Sequence, residues 1–149
     1  MAGAFGLQTP RDRLGKLQRD LDRLRGSPND QDAAFNFFVT AEHMLDWLCP
    51  GKANKPTREA IRNADQLLQV VSHLANRSKH FDQLSTHHQS VERSGTFGAF
   101  FGGGFFGGGF FGSDGLLIVF KGDAAITFGP SRPALVVAED VFAYWKARC

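Results

Sequence analysis

Between Ser94 and Leu116 the chain reads GTFGAFFGGGFFGGGFFGSDG, a five-residue repeat in which a phenylalanine pair follows a run of glycines. No helix survives that glycine content, because each glycine costs about 0.8–1 kcal/mol relative to alanine. If the segment is extended, adjacent phenylalanines point to opposite faces, and the odd period swaps which member of each pair points where. Both faces then carry aromatic rings. Such a ribbon must pack on the rest of the chain, coil on itself or pair with another chain, and no internal charge guards it from aggregation. An extended run of roughly fifteen residues spans about 50 Å, whereas a globule of this size is roughly 30 Å across. The segment therefore turns back or runs onto a second subunit. Phe100, Phe101, Phe105, Phe106, Phe110 and Phe111 are the candidate binding residues, and a protein partner or homo-oligomer is expected. A phosphate cradle is the weaker reading, since known glycine-rich cradles join a strand to a helix and carry motifs missing here.

The other residues supply material for a helical core. The chain has 149 residues, 42% of them hydrophobic, which fits one domain. From Arg11 to Arg25, Leu14, Leu17, Leu21 and Leu24 recur at helical steps. Thr9, Pro10 and Asp12 form the start of that helix, and Gly26 and Pro28 stop it. A second helix follows Asp30, with Phe35, Phe38, Ala41, Leu45 and Leu48 as its stripe and Phe37, Met44 and Trp47 widening it. After the loop CPGKANKP, Thr57 caps a third helix whose stripe is Ile61, Ala64, Leu68, Val71 and Ala75, with Leu67 and Leu74 beside it. Downstream of the repeat, LLIVFK and AAITFG flank Gly122-Asp123 like the strands of a hairpin. A closing helix begins near Pro133 and turns Leu135, Ala138, Val141, Phe142 and Trp145 inward. The expected class is mostly α (α+β). A single domain is divided into a bundle at 9–92, the repeat at 95–115, a hairpin at 116–129 and a closing helix at 131–149.

Charge and cysteine usage narrow the function classes. Seventeen basic and 15 acidic residues leave a formal charge of +2, too little for the strong field of a dedicated nucleic-acid or membrane-surface binder. Cys49 and Cys149 have no ligand or disulfide-framework spacing. The N-terminal MAGAFGLQTPRDR has no apolar run of signal-peptide or membrane length. A cytoplasmic protein is expected, and no cofactor, metal or membrane contact is anticipated.

The segment HLANRSKHF gathers Asn76, Arg77, Lys79 and His80 in one and a half helical turns, with Asn76 and His80 on one face. An imidazole beside an amide and two cations suits acid–base work on a phosphodiester. The plainer reading is the polar end of an amphipathic helix, where cations are favoured. His73, His80 and His87 lie seven apart, about 10 Å per step on a helix, too far for two to share a metal. His43 reads as a hydrogen-bonded edge residue.

FNFFVTAEHMLDWL followed by HLANRSKHF resembles a group of short, functionally unassigned bacterial and phage proteins. Its helical pattern is similar to that of the HEPN superfamily. The resemblance covers roughly residues 30–82. It implies a HEPN-like bundle and, in the active members, a metal-independent ribonuclease of toxin or antiviral systems. Those enzymes work as dimers that juxtapose two copies of an arginine, a polar residue, three variable residues and a histidine. Asn76 matches the polar residue and His80 the histidine, but Ala75 stands at the arginine position. Arg77 and Lys79 are the cations left to substitute.

The expectation is a small non-catalytic binding protein, in phage–host defence or counter-defence, that uses the bundle and the Gly/Phe ribbon as its interaction surface. The alternatives are a ribonuclease centred on His80 and a nucleotide or oligonucleotide binder that uses the same cations.

Overall fold

The computed structural model describes residues 4–79, 91–96 and 115–149. The first helix, α1 (Pro10–Gly26), starts as its sequence requires. The Thr9 hydroxyl accepts the Asp12 N–H at 3.1 Å, and the Asp12 carboxylate accepts the N–H groups of Gln8 and Thr9 at 3.1 and 2.9 Å. The Gln8 amide, then the Thr9 hydroxyl and amide, hold the Asp12 carboxyl below its ordinary range. Leu17, Leu21 and Leu24 are fully buried, and Leu14 packs on the edge of the core.

After a short turn, Asp30 caps α2 (Gln31–Glu42) by accepting the N–H groups of Asp32 and Ala33. α2 runs back along α1: Lys16 on α1 meets Thr40 on α2, and Arg13 lies over Trp47 beyond it. The second helix does not continue to Leu48 as its stripe suggests. It breaks at His43, and a short α3 (Met44–Leu48) resumes. The buried face also differs, since Phe37 is fully buried while Phe35 is 38% exposed. The core side of α2 is centred on Ala34, Phe37, Phe38 and Ala41, which places Phe35 at its solvent margin.

The expected third helix is two helices. A 3₁₀ turn (Lys52–Asn54) leads into α4 (Lys55–Asn63), whose first turn holds Pro56, so Thr57 lies inside the helix and does not cap it. The chain bends at Ala64-Asp65, and α5 (Gln66–Lys79) begins with the Asp65 carboxylate accepting the Leu67 N–H at 2.8 Å. Replacing Asp65 with Ala should cost about 0.5–2 kcal/mol in urea unfolding, the usual loss for a cap. Thr57→Ala should leave the midpoint nearly unchanged.

Three strands form an antiparallel sheet in the order β1 (Val91–Thr96), β2 (Leu116–Phe120) and β3 (Ser131–Pro133). Leu116, Ile118 and Phe120 point into the core, as the alternation of LLIVF anticipates. The partner of LLIVF is not AAITFG: that stretch is helix α6 (Gly122–Phe128). It buries Ala124, packs Ala125 and Phe128 on the core and leaves Ile126 83% exposed. Gly129 ends it at φ 88°, donating its N–H to the Ala125 carbonyl. The hairpin is formed instead by β1 and β2, paired from Val91↔Phe120 to Thr96↔Leu116 with an irregularity between Val91 and Arg93.

The last helix, α7 (Ala134–Lys146), buries Ala134, Val137, Ala138, Val141 and Trp145 against α1, α2 and the sheet, leaving Leu135 and Phe142 at the core's edge. The class is mostly α with a small sheet. Among the described residues no helix is long and apolar enough to cross a membrane.

Candidate functional site

Asn76 is half-buried near the end of α5, and its amide donates to the Ser72 carbonyl one turn back at 2.7 Å, with the Ser72 hydroxyl at 3.5 Å. Ala75 beside it is fully buried. Arg77 and Lys79 lie in the last turn of the helix, while His80 falls outside the described residues. The six paired phenylalanines, Phe100, Phe101, Phe105, Phe106, Phe110 and Phe111, fall outside them too.

His73 lies in the middle of α5, while His80 and His87 fall outside the described residues. It is 2% exposed, and its Nδ1 accepts the Val91 N–H at 3.3 Å. An accepting Nδ1 belongs to the neutral ring. The contact pins the start of β1 to the middle of α5. His43 is an edge residue as expected, its Nδ1 donating to the Val39 carbonyl at 2.7 Å. No group of three His, Cys, Asp or Glu residues able to hold a metal converges among the described residues.

The pairing of β1 with β2 locates the Gly/Phe segment. Thr96 and Leu116 are register partners, so the eighteen residues 97–114 leave and re-enter the fold side by side. The Leu116 N–H donates to the Pro28 carbonyl at 3.1 Å, which ties this end of the hairpin to the α1–α2 turn. Gly115 lies against Pro28 there, where an added Cβ would sit 3.8 Å from the proline Cβ.

At the other end of α1 the fold leaves an apolar cleft of about 400 Å³ between α3, the α4–α5 bend and the end of α7. Leu45, Leu48, Ile61 and Ala64 form one wall and Tyr144 and Trp145 the other, with Asp65 and Arg148 at the rim. The rings of Tyr144 and Trp145 meet edge to face, with centroids 4.9 Å apart. Both charged groups already have partners: Asp65 caps α5, while Arg148 donates to the Tyr144 carbonyl at 3.0 Å and lies 3.5 Å over its ring. Sequence reading missed this cleft because its walls come from three separated segments. One signal was present: Asp65, a capping residue type inside the expected stripe, marks the bend at which Ala64 is exposed.

Around the corner, Arg13 stacks over Trp47 at 5.7 Å, and desolvation keeps its guanidinium below the ordinary arginine range. Arg58 ties α4 to the loop before it through the Cys49 and Gly51 carbonyls and meets Asp46 at 3.3 Å. These cations hold the fold together at this end. Comparison of the chain with family models, curated proteins and solved structures gives no match.

Proposed function

We propose that this is a small non-catalytic binding protein whose contact surface is the Gly/Phe segment, presented as a loop at one end of the helical body. The carrying observation is the pairing of Thr96 with Leu116, which closes the segment on itself and anchors both ends beside Pro28. The six paired phenylalanines are thereby confined to a single loop instead of being strung along a tail. A loop so rich in aromatic area is suited to protein contact, because aromatic rings contribute much of the energy at interfaces. The resemblance to HEPN proteins suggests a setting in phage–host defence or counter-defence.

Two details favour binding over ribonuclease chemistry. Ala75 is fully buried, so the position expected to hold an arginine faces the core, and the Asn76 amide is engaged by the turn behind it. The protein incubated with labelled single-stranded RNA should release no more fragments than buffer alone, and His80→Ala should change nothing. Cleavage lost in a folded His80→Ala variant would replace this reading with the nuclease.

A further inference from the structure

We propose that the apolar cleft between α3, the α4–α5 bend and α7 is the dock for the phenylalanine pairs of a second copy of this chain, so that copies join head to tail. The inference rests on the reading of the Gly/Phe segment as the contact surface, and it names the partner.

The cleft asks for an uncharged aromatic occupant. Its walls are aliphatic and aromatic, and Asp65 and Arg148 at its rim are already engaged within the chain. At about 400 Å³ it sits near the small end of the range for ligand sites, suited to aromatic side chains and too small for a packed helix. Edge-to-face contact with Tyr144 and Trp145 is the arrangement that phenyl rings prefer. The chain carries such a group in quantity: residues 97–113 include three phenylalanine pairs and no charged side chain.

Topology makes the contact one between copies. The hairpin ends at Pro28, beyond the C-terminal end of α1, whereas the cleft lies near the other end, where Arg13 meets Trp47. The 17 residues of α1 separate the two by about 25 Å. A closed loop of eighteen residues extends at most about 30 Å at its midpoint, with every residue stretched. Its own cleft is thus within range only for Phe105 and Phe106 at the centre, and only along a straight path through the body. A neighbour's cleft has no such limit. A contact between unlike surfaces at opposite ends does not close on itself and therefore propagates into chains unless the geometry happens to form a ring.

Sedimentation tests this with two complementary variants. Ala64→Arg places a long charged side chain at the mouth of the cleft, at an exposed position with helical dihedrals that accept any L residue. The second variant replaces all six paired phenylalanines with serine and leaves the cleft intact. The parent protein should gain mass with concentration, and each variant alone should sediment as a monomer, near the 16.4 kDa of the parent chain. Their equimolar mixture should form mixed complexes, chiefly a species of twice that mass and none with more than three cleft copies on one ring copy, because one variant supplies only its three phenylalanine pairs and the other only a cleft. Circular dichroism checks that both variants fold, and Ala64→Lys serves if Ala64→Arg does not. A parent that stays monomeric, or a mixture that does, overturns the head-to-tail contact. Association of Ala64→Arg together with a monomeric serine variant removes the cleft but leaves the segment as the contact surface. Association of the serine variant removes both.

Discussion

Phe37→Ala should lower the unfolding free energy by about 3–5 kcal/mol, the range for a large aromatic side chain removed from a core. Phe37 has no exposed surface, and its ring meets that of Phe38 edge to face at 5.2 Å. It belongs to α2, which packs on both α1 and α5, so a void there touches three helices and none can move in to fill it alone. Phe35, on the same helix and 38% exposed, provides the control: Phe35→Ala should cost less than about 1 kcal/mol. Urea unfolding of the two variants measures the difference, and equal midpoints would contradict this placement of the core.

Asp20→Ala is the second large effect, at about 1–3 kcal/mol. The carboxylate is 1% exposed and fully engaged: Lys16 Nζ at 2.6 Å and the Thr40 hydroxyl at 2.9 Å on one oxygen, Arg23 at 2.9 Å on the other. Lys16 also donates to the Thr40 hydroxyl at 2.8 Å, so the network ties α1 to α2. Losing one member of a buried ion pair costs most when the remaining charge has no route to water. Here the Lys16 side chain is 33% exposed and Arg23 65%, so both cations can be rehydrated, which keeps the loss below that extreme. The buried Thr40 hydroxyl does lose an acceptor. Asp20→Asn retains one acceptor oxygen and should fall between the parent and the alanine variant; no difference between the two substitutions would argue against the network.

The parts of the fold legible in sequence are those where local chemistry and burial agree. Thr9, Pro10 and Asp12 mark the start of α1, and the leucines behind them all turn inward. The readings that moved did so where tertiary contacts overrode a local pattern. AAITFG alternates well enough to pass for a strand, yet only Ala124 in it is fully buried, and Gly129 stops a helix as effectively as it would end a strand. The stripe from Ile61 to Ala75 is periodic enough to hide the bend, although Asp65 is a capping residue in plain view. β1 carries the unpromising sequence VERSGT and owes its strand form to pairing with β2 and to His73. Asn76 was legible as a polar residue near a helix end, but the engagement of its amide and the burial of Ala75 depend on packing.

The register between Thr96 and Leu116 separates the length of the Gly/Phe segment from the integrity of the body. The entropy of closing a loop grows by only about 0.6 kcal/mol with each doubling of its length, so inserting or deleting a five-residue unit should change the energetics of the hairpin by less than that. Tandem units of this kind can therefore multiply or shrink without a compensating change elsewhere in the chain. On the proposed reading, each unit added or removed would alter how many aromatic pairs one copy offers, and with it the avidity of the contact. Valency, on that reading, is a quantity that can drift in small steps while the scaffold stays constant.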